Sequence, residues 1–164
     1  MKIIAIDPGF DRCGVCILEK NEQTGKETLV YSECVQTGRE LPFSDRLHIL
    51  GTEVSRIITQ HSPTVLALEE LFFKNNQKTA MKVAEARGMI LYLGKAHGLS
   101  VAEYTPLQIK TAITGYGRAD KAQVSMMVYK LIEIPTGKKL DDELDAIACG
   151  LTHFAYYKTL GAGR

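Results

Sequence analysis

No apolar run in this chain approaches the roughly 18 residues that a membrane-spanning helix requires. The amino terminus, MKIIAIDPG, lacks the longer apolar region and small-residue cleavage site of an export signal. Both absences point to an intracellular, cytoplasmic protein with no membrane attachment. Zinc-ligand spacing is missing too. Cys13 and Cys16 form a C-x-x-C, but no second Cys or His pair stands where a zinc site needs one. GVCIL reads as a strand, on which residues three apart face opposite sides. Cys13, Cys16, Cys34 and Cys149 are therefore read as structural thiols of a reducing compartment. Internal repeats, low-complexity segments and Pro-, Gly- or Ser-rich linkers are also absent. What is present, 164 residues with 45% hydrophobic and 24% charged content, suits one soluble domain with a full core over residues 1–164.

Net charge is nearly missing as well, at +1, but it is unevenly spread. Residues 71 to 139 hold eleven Lys or Arg against four Asp or Glu, while the remainder holds nine against fifteen. A basic middle between acidic flanks suits a polyanionic substrate beside a metal site.

The apolar periodicity changes along the chain. KIIAID, GVCILEK and ETLVYSECV read as three strands, with NEQTG as a hairpin turn. Leu47, Leu50, Val54, Ile57 and Ile58 then fall at helical spacing, with Ser44 as the expected N-cap. TVLALE is a short buried strand. A helix from Asn76 to about His97 is expected to turn Ala80, Val83, Ala84, Ile90 and Leu91 inward, and LSVAEY is a fifth strand. Thr105-Pro106 has the cap and first-turn proline of a short helix. Beyond the GYGRAD loop, Val124, Met127, Val128 and Leu131 mark another helix. A last helix begins near Asp141 or Asp142 and carries Leu144, Ile147, Ala148 and Leu151 inward. This order predicts an α/β fold: a mixed five-stranded sheet, three meandering antiparallel strands plus two parallel ones, with helices on both faces.

Three segments bring acid toward one place. KIIAID ends on Asp7 before a Pro-Gly turn, LALEE ends the fourth strand on Glu69 and Glu70, and the last helix opens DDELD. Taken singly, each has a local reading, as a turn aspartate or as acids complementing a helix dipole. Strands one and four are expected to be neighbours, however, so their carboxyl ends meet where ligands of open α/β sheets bind. Asp142 and Asp145, three apart, share a helix face, while Asp141 and Glu143 point elsewhere. Gathered like charges raise one another's pKa unless a cation joins them. Oxygen ligands without His or Cys suit Mg²⁺ or Mn²⁺. Two such ions about 4 Å apart would clamp both oxygens of a phosphodiester displacement. The pattern alone leaves Glu69 against Glu70, and Asp142 against Asp141, open.

IDPG, ALEELFFKNN, KVAEARG, QIKTAITGYGRADKAQV and DDELDAIACGLTH, in that order, resemble the RuvC family of bacterial Holliday-junction resolvases across nearly the whole chain. The resemblance implies an RNase H-like fold and a magnesium-dependent endonuclease that nicks two strands of a four-way junction symmetrically, as a homodimer working with RuvA–RuvB. It places the catalytic metal ligands at Asp7, Glu69, Asp142 and Asp145, the third being a His in some members, with two Mg²⁺ per subunit or Mn²⁺ in their place. It sets Phe72 where a family aromatic meets unpaired bases, which is sound physically because an exposed aromatic stacks on a base that has lost its partner. Lys74, Lys78, Lys110, Arg118 and Lys121 are the expected phosphate contacts, with Lys121 also placed to steady developing charge. The helix holding KTAMKVAEARGMILYLG, with small residues Ala80, Ala84, Gly88 and Gly94, is the expected dimer face, since two matched cuts call for two sites related by a twofold.

Overall fold

The computed structural model describes residues 1–70, 77–135 and 139–161, the side chains of 77, 78 and 158–161 excepted. Strands β1 (Lys2–Asp7), β2 (Arg12–Lys20) and β3 (Glu27–Gln36) form the antiparallel meander; α1 (Phe43–His61), β4 (Val65–Glu69), α2 (Gln77–Ala96), β5 (Ser100–Tyr104), α3 (Pro106–Thr114), α4 (Lys121–Leu131) and α5 (Asp141–Gly161) follow. The sheet order is β3-β2-β1-β4-β5, with β1 antiparallel to β2 and parallel to β4. This is the mixed five-stranded sheet expected from the sequence.

Strand alternation sorts the core into two layers. Ile3, Ala5, Cys16, Leu18, Val65 and Ala67 face one side, where Ile147, Leu151 and Phe154 of α5 and residues of α3 and α4 cover them. Ile4, Ile6, Val15, Ile17, Leu66 and Leu68 face the other, under Leu50, Val54 and Ile57 of α1 and Ala86 and Ile90 of α2. Each fully buried aliphatic contributes about 1.5–3 kcal/mol of transfer free energy, so both layers hold the sheet rigid beneath the helices. Cys13 lies in the second layer and Cys16 in the first, as residues three apart on a strand must. All four cysteines are free.

Several local expectations shift. Ser44 does not cap α1: the helix opens two residues earlier, with Pro42 at the N-cap and no side-chain cap, and the Ser44 hydroxyl turns to Asp45 instead. Proline supplies the extended backbone that an N-cap needs, so the hydroxyl is dispensable there. On α2, Ala84 is exposed and the inward residues are Ala86 and Ile90, a rotation of the expected stripe that runs through Met89, Leu93 and Gly94. Leu131, at the end of α4, is half exposed, and Ile132 after it is buried in the core instead. Thr105 and Asp120 make full capping boxes with Gln108 and Gln123, which fixes where α3 and α4 begin. Among the described residues, no helix is long and apolar enough to cross a membrane.

Candidate active site

The register of β1 against β4 pairs Ile6 with Leu68. One step further, Asp7 and Glu69 stand side by side at the carboxyl ends of two parallel neighbours, about 4.8 Å apart in the hydrogen-bonding direction. Alternation also decides between the two glutamates. Val65 and Ala67 face the α5 layer, so Glu69 does too, whereas Leu66 and Leu68 face α1 and α2. Glu70 has already left the strand.

Helix α5 comes down onto this spot because β2 presents a glycine there. A Cβ on Gly14 would lie 1.8 Å from the carbonyl oxygen of Asp142, so only a bare Cα lets the first turn of α5 reach the sheet. Gly14 is also the register partner of Asp7. Glu143 fastens the same turn: it accepts from the Ser32 hydroxyl at 2.8 Å and from the Leu140 backbone at 3.2 Å, and pairs with Lys139 at 3.1 Å. Glu143 is thereby turned away, Asp145 lines the cleft, and Asp142, three residues earlier on the same helix face, is held beside it by Arg12. Asp141 is exposed, with an oxygen 3.7 Å from Lys121 Nζ.

The turn that follows β1 is held from below by a residue the sequence reading passed over. The guanidinium of Arg46 in α1 is buried; its Nε donates to Thr37 Oγ1 at 2.9 Å, its Nη2 to the Phe10 carbonyl at 3.2 Å, and it pairs with Asp11. On β4, Arg87 of α2 donates to the Glu69 carbonyl at 3.4 Å and pairs with Glu103. Both braces grip strand ends that display a carboxylate. Their only sequence signal was an arginine inside an otherwise amphipathic helix, which carries no hint of its partner.

The electrostatics follow from this crowding. Burial, then the charges of Glu69, Asp145 and Asp142, push Asp7 up to about 7. Burial and Asp145 likewise push Glu69 to about 7, against the pull of Lys121 and Lys110. Asp145 is raised by burial although Lys121 opposes the shift. Lys121 Nζ lies 2.8 Å from Asp145 Oδ2, and Arg12 pairs with Asp142. A cleft of about 190 Å³ opens between Glu69, Asp145, Lys110, Lys121 and Pro106. Lys110 and Lys121 thus stand at the site as expected, while Arg118 is exposed on the α3–α4 loop and not among the residues lining this cleft. Phe72, Lys74 and the side chain of Lys78 lie outside the described residues.

The donor set suits a hard divalent cation, being all carboxylate oxygen with two acids held near neutral pKa for want of counter-charge. Among the described residues, no three His, Cys, Asp or Glu side chains are drawn together as ligands of a single ion. The helix acids are instead paired with Arg12 and Lys121, so an incoming cation has to compete for them.

The sequence and the fold recur in known proteins. The family model described as crossover junction endodeoxyribonuclease RuvC matches residues 3–153. A crossover junction endodeoxyribonuclease RuvC of Caldicellulosiruptor saccharolyticus is 42% identical over 153 residues, covering 93% of this chain and 92% of its own. The RuvC of Desulforamulus reducens is 41% identical and covers 98% of both. The structure of Thermus thermophilus RuvC in complex with a Holliday junction substrate is similar at a TM-score of 0.87 and 31% identity, over 98% of this chain and 96% of that one. With the family model matched along nearly its whole length and relatives about 40% identical over most of it, the chain belongs to the RuvC family of crossover junction endodeoxyribonucleases.

Proposed function

We propose that this protein resolves Holliday junctions by metal-assisted hydrolysis of two symmetry-related phosphodiesters. The observation that carries the reading is the side-by-side placement of Asp7 and Glu69 at the strand ends, with Asp142 and Asp145 on the facing turn of α5. Asp7, Glu69, Asp142 and Asp145 are the groups that would hold Mg²⁺, two ions per subunit, with Mn²⁺ as a substitute. When bound, the ions supply Lewis-acid polarisation of the phosphate and an activated water.

The remaining work falls to the chain itself. Lys110 and Lys121 line the cleft and neutralise backbone phosphates of an incoming strand. Lys121, already hydrogen-bonded to Asp145, orients that carboxylate and carries positive charge to where the leaving oxygen becomes negative. Phe72, Lys74, Lys78 and Arg118 extend the DNA contact outward, Phe72 against unpaired bases at the junction centre. Two cuts of matched polarity require two such sites, which supports a C₂ homodimer built on α2. On that helix Met81 and Tyr92 are exposed, and Tyr92 borders an open groove shared with Leu47 and His48 of α1. RuvA–RuvB is the proposed branch-migration partner, and the cytoplasm the proposed location.

The test is a cleavage panel: a synthetic four-way junction, a matched duplex and an RNA–DNA hybrid, each with and without Mg²⁺. Paired symmetric nicks on the junction alone, only with Mg²⁺, are expected. Cleavage confined to the hybrid would instead make the protein a nuclease of RNA-containing duplexes.

A further inference from the structure

Two groups converge on one oxygen of Asp142. The Arg12 guanidinium forms an ion pair with Oδ2, and the Cys34 thiol lies 3.7 Å from the same atom. Arg12 opens β2 two residues before Gly14, and Cys34 is the register partner of Gly14 on β3. All three positions share the sheet face over which α5 starts, because residues two apart on a strand and directly paired residues point the same way. The arrangement is therefore set by strand register, and is more than a chance meeting of long side chains. The Arg12 side chain is 45% exposed and that of Asp142 22%. The acid is tucked in, and its cation has a free path to solvent.

We propose that Arg12 is a built-in counter-ion of the metal centre, a positioning residue that holds Asp142 in the metal-free enzyme and yields it when a divalent cation binds. The inference rests on the reading of Asp142 as a metal ligand. The four carboxylates, close enough to raise Asp7, would otherwise repel the first turn of α5 from the sheet. Arg12 holds that turn down at Asp142, and Lys121 does so at Asp145. The cost is competition: a guanidinium charge held against Oδ2 occupies a lone pair of that oxygen and repels an approaching divalent cation, so Arg12 lowers the cation affinity that the four acids would otherwise have. An ion then binds by exchange of one positive partner for another, and the freed guanidinium remains at the cleft edge.

The experiment is calorimetric titration of Mn²⁺ into the full-length protein without DNA, comparing wild type, Arg12→Ala, Arg12→Lys, Asp142→Asn and the Arg12→Ala/Asp142→Asn double variant. Arg12→Ala should bind Mn²⁺ roughly three- to tenfold more tightly, the size expected when a partly exposed ion pair no longer competes. Arg12→Lys should stay near wild type, and Arg12→Ala should change nothing once Asp142 is Asn. Structural damage would weaken binding, so a gain in affinity is a signature that a merely supporting role does not produce. Equal or weaker binding by Arg12→Ala, with wild-type binding intact and abolished by Asp7→Asn, would overturn the role of Arg12 and leave the metal centre standing. If wild type bound no Mn²⁺, the metal centre and this role would fall together. Melting curves for each variant confirm that the comparison is between folded proteins.

Discussion

The two acids carried by the sheet and the two carried by α5 lie close enough for Asp7 to feel the charge of the other three, but they live under different rules. Asp7 and Glu69 sit at the ends of central strands, largely removed from water, and each is raised to about 7. Asp142 and Asp145 lie on a helix turn at the rim and each has a cation of its own, Arg12 and Lys121. A strand end buried between neighbours has no room for a long basic side chain, whereas a helix turn at the rim can be reached by one from either flank. The sheet pair is thus left wanting a cation, and the helix pair is stabilised in advance. On the proposed reading of these acids as metal ligands, the site combines a deep half that attracts a divalent ion with a shallow half that has to be released to it.

The strongest way to break this comparison is Asp7→Asn. Cleavage of a four-way junction should fall by at least about 10³-fold, since a central ligand is lost, while gel-shift affinity for the junction stays within a few-fold. The same variant should be more stable without metal. Asp7 and Glu69 have ordinary values of 3.8 and 4.5 and rise to about 7 in the fold. The native state therefore holds protons that the unfolded chain has released between about pH 4 and pH 7. Their stabilising contribution is complete below pH 4 and is lost as pH rises through about 7. Metal-free wild type should therefore lose stability across that window from burial and repulsion at this pair. Asp7→Asn should then melt several degrees higher than wild type at pH 8, but no higher at pH 4. Calorimetry at the two pH values decides it, and equal melting of variant and wild type at pH 8 would remove the electrostatic account.

Next comes the contrast between adjacent glutamates. Glu69→Gln should cut cleavage by roughly 10²-fold or more, and Glu70→Gln should leave it within about twofold. Comparable losses would mean that strand alternation does not select the ligand. Gly14→Ala tests the meeting of the two halves. The new methyl has to displace the backbone of Asp142, which at overpacking costs of about 1–3 kcal/mol should lower the melting temperature by several degrees. Single-turnover rates should fall roughly tenfold to a hundredfold as α5 lifts from the sheet. The smallest effect is expected for Lys121→Met, about tenfold in cleavage, with Asp145 losing its partner and the melting temperature little changed.

Much of this was legible in the residues. The short continuous apolar runs in KIIAID and TVLALE announced buried strands, and two of them ending in acid announced where a charge would be displayed. The spacing of Asp142 and Asp145 placed both on one helix face without any knowledge of the fold. The capping boxes at Thr105 and Asp120 are written within four residues each. Other features left no local mark. The rotation of α2 that exposes Ala84 and buries Ala86 depends on which groove of the sheet the helix fills. Arg46 and Arg87 looked like ordinary polar positions, because their partners at Asp11 and Glu103 are set by the fold. Arg12 read as the first residue before an apolar strand, with nothing to tie it to an acid 130 residues away.

The sequence by itself determined the strands and helices, the carboxylates at their ends and the uneven charge that suits a polyanion, because periodicity, capping and composition act over a few residues. The tertiary structure alone decided that Glu69 and not Glu70 faces α5, that Gly14 admits the backbone of Asp142, and that Arg12 holds its carboxylate. Those outcomes rest on cross-strand register and on which helix covers which face, and both are set only when the two core layers close around the sheet.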